Sequence, residues 1–183
     1  MQSELKIICT VVGPLKTNCY VLVSKNEALV VDPGGEEEKI IGEAKKDGAE
    51  IKKIVNTHGH FDHTLGNKKL QKKTGADILK NLQEGDKINF GEVFLDVIEV
   101  PGHASDGIAI LGDGFLIGGD VLFPRGCGRV DLPGSSKEKM RKTLERLIGE
   151  VDDGVVIYPG HGDSFTMKEW KEAFPGFENL GLL

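Results

Sequence analysis

The chain is short, acidic and ordinary in composition, which excludes several classes of protein. Its 183 residues carry a formal net charge of −6, with 39% hydrophobic and 28% charged residues, so we expect one domain over residues 1–183. The negative charge argues against a nucleic-acid partner, and no apolar run approaches the roughly 20 residues of a membrane span. Cys9, Cys19 and Cys127 lack a disulfide-framework spacing, and the N-terminus does not resemble a signal peptide. Both features favour a reduced, cytoplasmic setting.

The first half of the chain predicts strands alternating with helices. Turn residues separate short apolar runs, and the helical segments place apolar residues on one face with charge on the other. The predicted strands cover residues 5–12, 19–23, 28–31 and 51–56, and the predicted helices cover 36–46 and about 64–73.

The second half predicts more strands and two further helices. Gly112 and Asp113 indicate the turn of a hairpin between strands over 107–111 and 114–117. Other strands are expected over 76–79, 93–100 and 155–158, with two glycine turns around residues 87–90 and a glycine-rich loop over 124–136. Ser135 or Ser136 is expected to cap a helix that ends at residue 148, and a last helix covers 167–174.

Residues 57–63 read T-H-G-H-F-D-H and place His58, His60, Asp62 and His63 directly after a predicted strand. Imidazole and carboxylate groups are ligands for zinc and similar metals. The i, i+2 spacing around a glycine suits an extended or looped backbone. We therefore expect His58, His60 and Asp62 to face one side and His63 another, as two neighbouring metals would require.

The other histidines of the chain have a similar setting. The sequence has five histidines, and the remaining two are His103 in V-P-G-H-A and His161 in Y-P-G-H-G. Asp120 ends another predicted strand in I-G-G-D-V. A set of unrelated surface or core histidines would not collect in this way at strand ends, so the pattern predicts one metal site.

These motifs resemble the metallo-β-lactamase superfamily: H-x-H-x-D-H, then P-G-H, G-D and P-G-H-G. T-N-C-Y near the start, G-D-V-L-F and G-C-G-R are most similar to the glyoxalase II branch. The resemblance implies an α/β fold, a four-layer αββα sandwich of two mixed sheets with metals at one rim.

The resemblance also implies a ligand set. Metal 1 would take His58, His60 and His103; metal 2 would take Asp62, His63 and His161; and Asp120 would bridge the two. The resemblance thus implies about two metal ions per chain, and the nitrogen and oxygen donors favour zinc, with iron or manganese as the alternatives. Asp62 and Asp120 would be catalytic, and a hydroxide shared between the metals would attack the substrate carbonyl. Asp32, which could also be a simple turn former, would orient the metal histidines.

The substrate implied by the resemblance is a small thioester or related acyl compound. Arg129 stands where that branch has a basic substrate-binding residue, but Asp131 and Asp163 replace expected tyrosines and would repel a glutathione carboxylate. The run from Arg125 to Asp131 also resembles persulfide dioxygenases, in which equivalents of His58, His103 and Asp120 hold a single iron. A lactonase or a phosphodiesterase is a further alternative. No histidine is left to activate Cys127 as a nucleophile.

Overall fold

The computed structural model describes residues 5–175 and contains two mixed β-sheets, so the first four and last eight residues of the predicted domain lie outside it. The first sheet has the order β1 (Leu5–Val12), β2 (Thr17–Ser24), β3 (Glu27–Val31), β4 (Glu50–Val55), β5 (Asp77–Ile78). The second sheet has the order β13-β12-β9-β8-β7-β6. Its strands are β6 (Lys87–Phe90), β7 (Val93–Glu99), β8 (Ile108–Gly112), β9 (Phe115–Gly119), β12 (Val156–Pro159) and β13 (Phe165–Thr166).

Five helices and a small hairpin complete the described part of the chain. The hairpin pairs β10 (Leu122–Phe123) with β11 (Gly126–Cys127). The helices are α1 (Glu37–Lys46), α2 (Phe61–Thr64), α3 (Asn67–Thr74), α4 (Lys137–Glu150) and α5 (Met167–Ala173). No helix within residues 5–175 is long and apolar enough to cross a membrane.

Three apolar clusters stack the elements into four layers. One cluster fills the space between the sheets, with Leu22 and Leu29 from the first sheet and Leu95 and Ile110 from the second. A second cluster packs α1 and α3 on the outer face of the first sheet, and a third packs α4 and α5 on the second. The αββα sandwich is confirmed. Because both faces of β2 are covered, all eight of its residues are buried.

Strand direction brings the predicted site loops to one rim. In the first sheet β3 and β4 are parallel, so their carboxyl ends lie side by side. In the second sheet β9 runs parallel to β12, and β7 shares that direction because both β7 and β9 are antiparallel to β8. Loops that follow strands of common direction meet at one edge of a sheet, where open α/β sheets bind ligands.

The structure differs from the sequence-based expectation in three short segments. The helix expected over 64–73 is two pieces, because the Gly66 amide donates to the Pro33 carbonyl at 2.8 Å and the chain bends there before α3 begins. The loop expected over 124–136 contains β11, and β13 follows His161 where no strand was expected. Strands of two residues are too short to leave an alternating pattern in a sequence.

We predict that Leu95→Ala lowers the free energy of unfolding by about 2–5 kcal/mol, because it opens a cavity between the sheets. Leu95 is 1% exposed, whereas its neighbour Phe94 on β7 is 68% exposed. Phe94→Ala is the matched control and is expected to stay within about 0.5 kcal/mol of wild type. Denaturant titration of both variants measures the difference, and equal losses would contradict the assignment of β7 faces.

Candidate metal centre

The structure brings together all seven side chains that the sequence predicts as metal ligands. They come from loops after strands of both sheets, and most of them are buried despite their polarity. They form two neighbouring groups with the Asp120 carboxylate between them, and Asp120 also converges with one histidine of each group, His58 and His63. The seven are His58, His60, Asp62 and His63 after β4, His103 after β7, Asp120 after β9 and His161 after β12.

The first group, the three-histidine cluster, consists of His58, His60 and His103. His60 Nδ1 lies 3.0 Å from His58 Nε2 and 3.0 Å from His103 Nε2. Three ring nitrogens that converge in this way can serve as ligands of a single metal ion.

Neighbouring oxygens decide which nitrogen two of these rings present. His103 Nδ1 lies 2.9 Å from the Arg129 carbonyl, which only accepts, so Nδ1 carries the proton and Nε2 presents a lone pair. The Thr57 hydroxyl donates to Asp32 at 2.7 Å, which leaves its oxygen free to accept from His58 Nδ1 at 3.1 Å. The lone pair of His58 is therefore also on Nε2. Such outer contacts fix the ring orientation of metal-binding histidines.

The second group, the Asp62 cluster, consists of Asp62, His63 and His161. Asp62 Oδ2 lies 3.5 Å from His63 Nε2 and 3.3 Å from His161 Nε2. His63 is fully buried, whereas the side chain of His161 is 29% exposed, so this group opens towards solvent on the His161 side. One carboxylate oxygen and two ring nitrogens form a second possible ligand set.

Asp120 lies between the two groups. Its Oδ2 is 3.6 Å from His103 Nε2 of the first group and 3.6 Å from His161 Nε2 of the second, and its Oδ1 is 3.5 Å from His63 Nε2. Asp120 Oδ1 and His63 Nε2 are both buried with no hydrogen-bond partner within residues 5–175. Buried polar atoms are rarely left without partners. Their positions and donor types therefore fit bound metal.

Asp32 stabilises both groups through its contacts with Thr57 and His63. Its Oδ1 accepts a hydrogen bond from the Thr57 amide at 2.7 Å, and its Oδ2 accepts from the Thr57 hydroxyl and from His63 Nδ1 at 2.9 Å. The last contact requires a proton on His63 Nδ1 and directs Nε2 towards Asp62. Asp32 has a φ of 54°, a left-handed conformation that is uncommon for residues other than glycine.

Comparison with known proteins places the chain in a family. The family model for the metallo-beta-lactamase superfamily matches residues 12–88 and 76–161. The chain belongs to the metallo-beta-lactamase superfamily.

Relatives of this superfamily member include named hydrolases. Hydroxyacylglutathione hydrolase 1 of Vibrio vulnificus is 38% identical over 84% of this chain, which spans 64% of that hydrolase. The probable polyketide biosynthesis zinc-dependent hydrolase PksB of Bacillus subtilis is 30% identical over 82% of this chain and 78% of its own length. These relatives support a metal-dependent, hydrolase-type enzyme.

Solved structures of the superfamily share the fold. The crystal structure of ETHE1 from Myxococcus xanthus matches this chain with a TM-score of 0.86 at 23% identity, covering 93% of this chain and 83% of that one. Similarity at this level of identity supports the αββα architecture.

The pKa values of the histidines differ between the two groups of the candidate metal centre. Burial, and then repulsion from the neighbouring imidazoles, lowers the pKa of His58 to about 2, so its ring stays neutral and able to bind metal. Burial alone would lower the pKa of His63, but Asp32, Asp120 and Asp62 surround it and raise that pKa to about 9. A metal that binds the Asp62 cluster would therefore displace a proton from His63.

Two glycines leave room for the Asp120 carboxylate and its backbone. A Cβ on Gly160 would overlap Asp120 Oδ1 and come within 2.8 Å of His63 Cε1. A Cβ on Gly128 would overlap the Asp120 carbonyl oxygen and come within 3.1 Å of His103 Cβ. Gly160 of P-G-H-G and Gly128 of G-C-G-R are therefore required for steric reasons, because the backbone touches the centre at both positions.

The local structure contradicts one expectation about ligand direction. His63 was expected to point away from His58, His60 and Asp62, but Asp62 and His63 share the second group. The reason is that residues 61–64 form a helical turn, α2, instead of an extended segment. Neighbouring positions on a helical turn can both reach a site beside the turn.

Two other candidate residues have contacts of a different kind. The Arg129 guanidinium forms two hydrogen bonds of 2.9 Å with Asp131, and both side chains are more than two-thirds exposed. Its predicted substrate contact stays a prediction. Burial raises the pKa of the Cys127 thiol, which disfavours a thiolate nucleophile at that position.

Sequence reasoning did not assign roles to three residues near the centre, namely Thr17, Asn18 and Thr57. Thr17 donates from its hydroxyl to Asp62 Oδ2 at 3.2 Å. Asn18 binds backbone oxygens of the loop that carries His161. The T-N-C-Y motif was the only available signal for the first two, and it does not reveal which distant residues they contact.

We predict that Gly160→Ala strongly reduces metal content and activity, because the added methyl group displaces Asp120 or His63. Gly118→Ala is the matched control, since its Cβ would meet only Ile157 Cγ2 at 3.9 Å, an ordinary contact. Elemental analysis and circular dichroism of both variants separate loss of metal from loss of fold. Full metal content in Gly160→Ala would contradict the close approach of this backbone to Asp120.

We predict that Asp32→Asn weakens metal binding by about 10- to 100-fold, as loss of a contact that orients a ligand commonly does. An asparagine amide nitrogen would face either the Thr57 amide or His63 Nδ1, and both of these atoms donate. Asp86→Asn is the control, because Asp86 accepts the Gln83 amide in an exposed turn and is neither a candidate ligand nor a hydrogen-bond partner of one. Titration with a competing chelator measures both affinities, and equal affinities in both variants would argue that Asp32 is only a turn residue.

Proposed function

We propose that this protein hydrolyses a small thioester or related acyl compound with two metal ions, in the manner of glyoxalase II enzymes. The observation that supports two metals is the Asp62 cluster beside the three-histidine cluster, with the Asp120 carboxylate between them. A single-metal site would not require His161 and Asp62 to converge with His63.

The ligand assignment follows the two groups. Metal 1 would be held by His58, His60 and His103; metal 2 would be held by Asp62, His63 and His161; and Asp120 would contact both. The donor set has nitrogen and oxygen but no thiolate, which favours zinc, with iron or manganese as alternatives. When bound, such metals lower the pKa of water towards about 7 and polarise a carbonyl group.

The chain itself contributes orientation and proton acceptance. We assign Asp62 and Asp120 as catalytic because their carboxylates lie among the ring nitrogens where substrate and water would meet. Burial raises the pKa of the Asp120 carboxyl, so this group binds a proton more readily than an exposed aspartate does. His58 and His103 remain oriented throughout by the contacts of their Nδ1 atoms.

The proposed substrate class is supported by the relatives and by the rim. The similarity to a hydroxyacylglutathione hydrolase favours a thioester. Asp131 is paired with Arg129, and Asp163 is exposed near His161. These acids make an acyl thioester other than a glutathione one the better candidate. A second candidate, persulfide oxidation with one iron, has the Arg125 to Asp131 motif in its favour.

The proposal predicts that purified wild-type protein contains about two metal ions per chain and hydrolyses members of a thioester panel. A lactone and a phosphodiester extend the panel to the lesser alternatives. Asp120→Asn should lose about 100-fold or more of kcat/KM, because loss of the charge that lies between the two groups would weaken both metal positions. Asp96→Asn is the control, since Asp96 lies on β7 in an exposed pair with Lys87.

The outcome that contradicts the proposal is equally specific. One iron per chain, with oxygen uptake on a persulfide and without thioester hydrolysis, would establish the dioxygenase alternative. Hydrolysis that persists after stringent chelation, with elemental analysis showing no metal left, would contradict metal-dependent chemistry in this chain.

A further inference from the structure

We propose that the first residues of β2 set the occupancy of the second metal position. These residues, Thr17, Asn18 and Tyr20, are here called the β2 clamp. They hold His161 and Asp62 in place, and they lie outside the ligand set. The inference rests on the proposed two-metal centre and deepens it.

His161 is the ligand that most needs outside support. Its side chain is 29% exposed, against 0% for His63 in the same group. Its Nδ1 has one long contact, 3.4 Å, with the Lys16 carbonyl. By contrast, His63 Nδ1 lies 2.9 Å from the buried Asp32 carboxylate. The position of His161 therefore depends on the backbone that carries it.

The β2 clamp fixes that backbone across the two sheets. The Asn18 side chain donates to the Pro159 carbonyl at 2.9 Å and to the Gly162 carbonyl at 2.8 Å, on either side of His161. The Asn18 backbone amide donates to the Gly160 carbonyl at 2.7 Å. The Tyr20 hydroxyl donates to the Pro159 carbonyl at 2.6 Å. Through these four bonds, a single strand of the first sheet, β2, holds the carbonyls of residues 159, 160 and 162 at the carboxyl end of β12 in the second sheet.

The same strand also orients the acidic ligand of this group. The buried Thr17 hydroxyl donates to Asp62 Oδ2, the oxygen that faces His63 and His161. Two of the three members of the Asp62 cluster are thus positioned from consecutive residues of β2.

The three-histidine cluster is oriented by other parts of the chain. Thr57 contacts His58, and the Arg129 carbonyl contacts His103. A change in the β2 clamp should therefore act on the second metal position and leave the first unchanged. A general loss of structure would affect both positions alike, which makes the selectivity a test.

The test compares Asn18→Ala and Thr17→Val with a matched control, Thr10→Val. Thr10 is also buried, lies on β1 and pairs with Cys19, which is neither a candidate ligand nor a member of the clamp. Cobalt titration of metal-free full-length protein, followed by absorption and with a competing chelator, gives the affinity of each equivalent. Hydrogen exchange of residues 160–163 in the metal-free chain gives an independent readout.

We expect both clamp variants to weaken the second equivalent by about 10- to 100-fold and to change the first by less than about twofold. Asn18→Ala should also accelerate exchange in residues 160–163, and Thr10→Val should match wild type in every measurement. Thr17→Val keeps the shape of the side chain, so it remains informative if Asn18→Ala does not fold.

Three results would overturn the inference. Both equivalents could weaken together, both could stay at wild-type affinity, or Thr10→Val could have the same effect as the clamp variants. A wild-type chain that binds only one cobalt would contradict the two-metal proposal instead. In that case the exchange data decide, because unchanged exchange in Asn18→Ala overturns the clamp and faster exchange supports it.

Discussion

The constraint on which this structure depends is that lone pairs must be held facing one another. His60 Nδ1 is 3.0 Å from two other ring nitrogens, and three carboxylates lie close by. Without a metal ion or a shared proton, these contacts are unfavourable, because acceptors would then face acceptors in surroundings that exclude most water. The fold must therefore hold each ring by its other nitrogen, as Asp32, Thr57 and the Arg129 carbonyl do. Rigidity at the rim is a requirement of the site.

Both metal positions also depend on the distance between the sheets. Each group takes members from the loop after β4 in the first sheet and one histidine from the second sheet, His103 in one case and His161 in the other. Packed sheets lie about 10 Å apart, and large side chains between them set that spacing. The cluster around Leu22, Leu95 and Ile110 thus fixes the distance across which the ligands meet. The apolar core contributes to function through this geometry.

Much of this arrangement could be predicted from local sequence, and the rest depends on distant contacts. Alternating apolar residues and turn signals located most strands, and P-G-H, G-D and T-H-G-H-F-D-H located the rim loops. The direction of His63 was predicted wrongly, because residues 61–64 form the helical turn α2 instead of an extended segment. The helix expected over 64–73 is interrupted because Gly66 contacts Pro33, which lies in another loop. The role of Asn18 could not be predicted, since its partners lie 141 and 144 residues away in the sequence. Local motifs therefore predict which residues are ligands, whereas the orientation of those ligands depends on contacts between residues that are far apart in the sequence.

Arg129 illustrates how one residue can act on the centre in two separable ways. Its backbone carbonyl fixes the proton of His103, and any side chain at this position would preserve that contact. Its guanidinium is paired with Asp131 where both side chains are more than two-thirds exposed, so water and salt weaken the ion pair. A substrate carboxylate could therefore replace Asp131 as the partner at little cost, with the same bidentate geometry. The observed ion pair is thus compatible with an anion-binding role for the side chain. Substitution of that side chain would test recognition without disturbing His103.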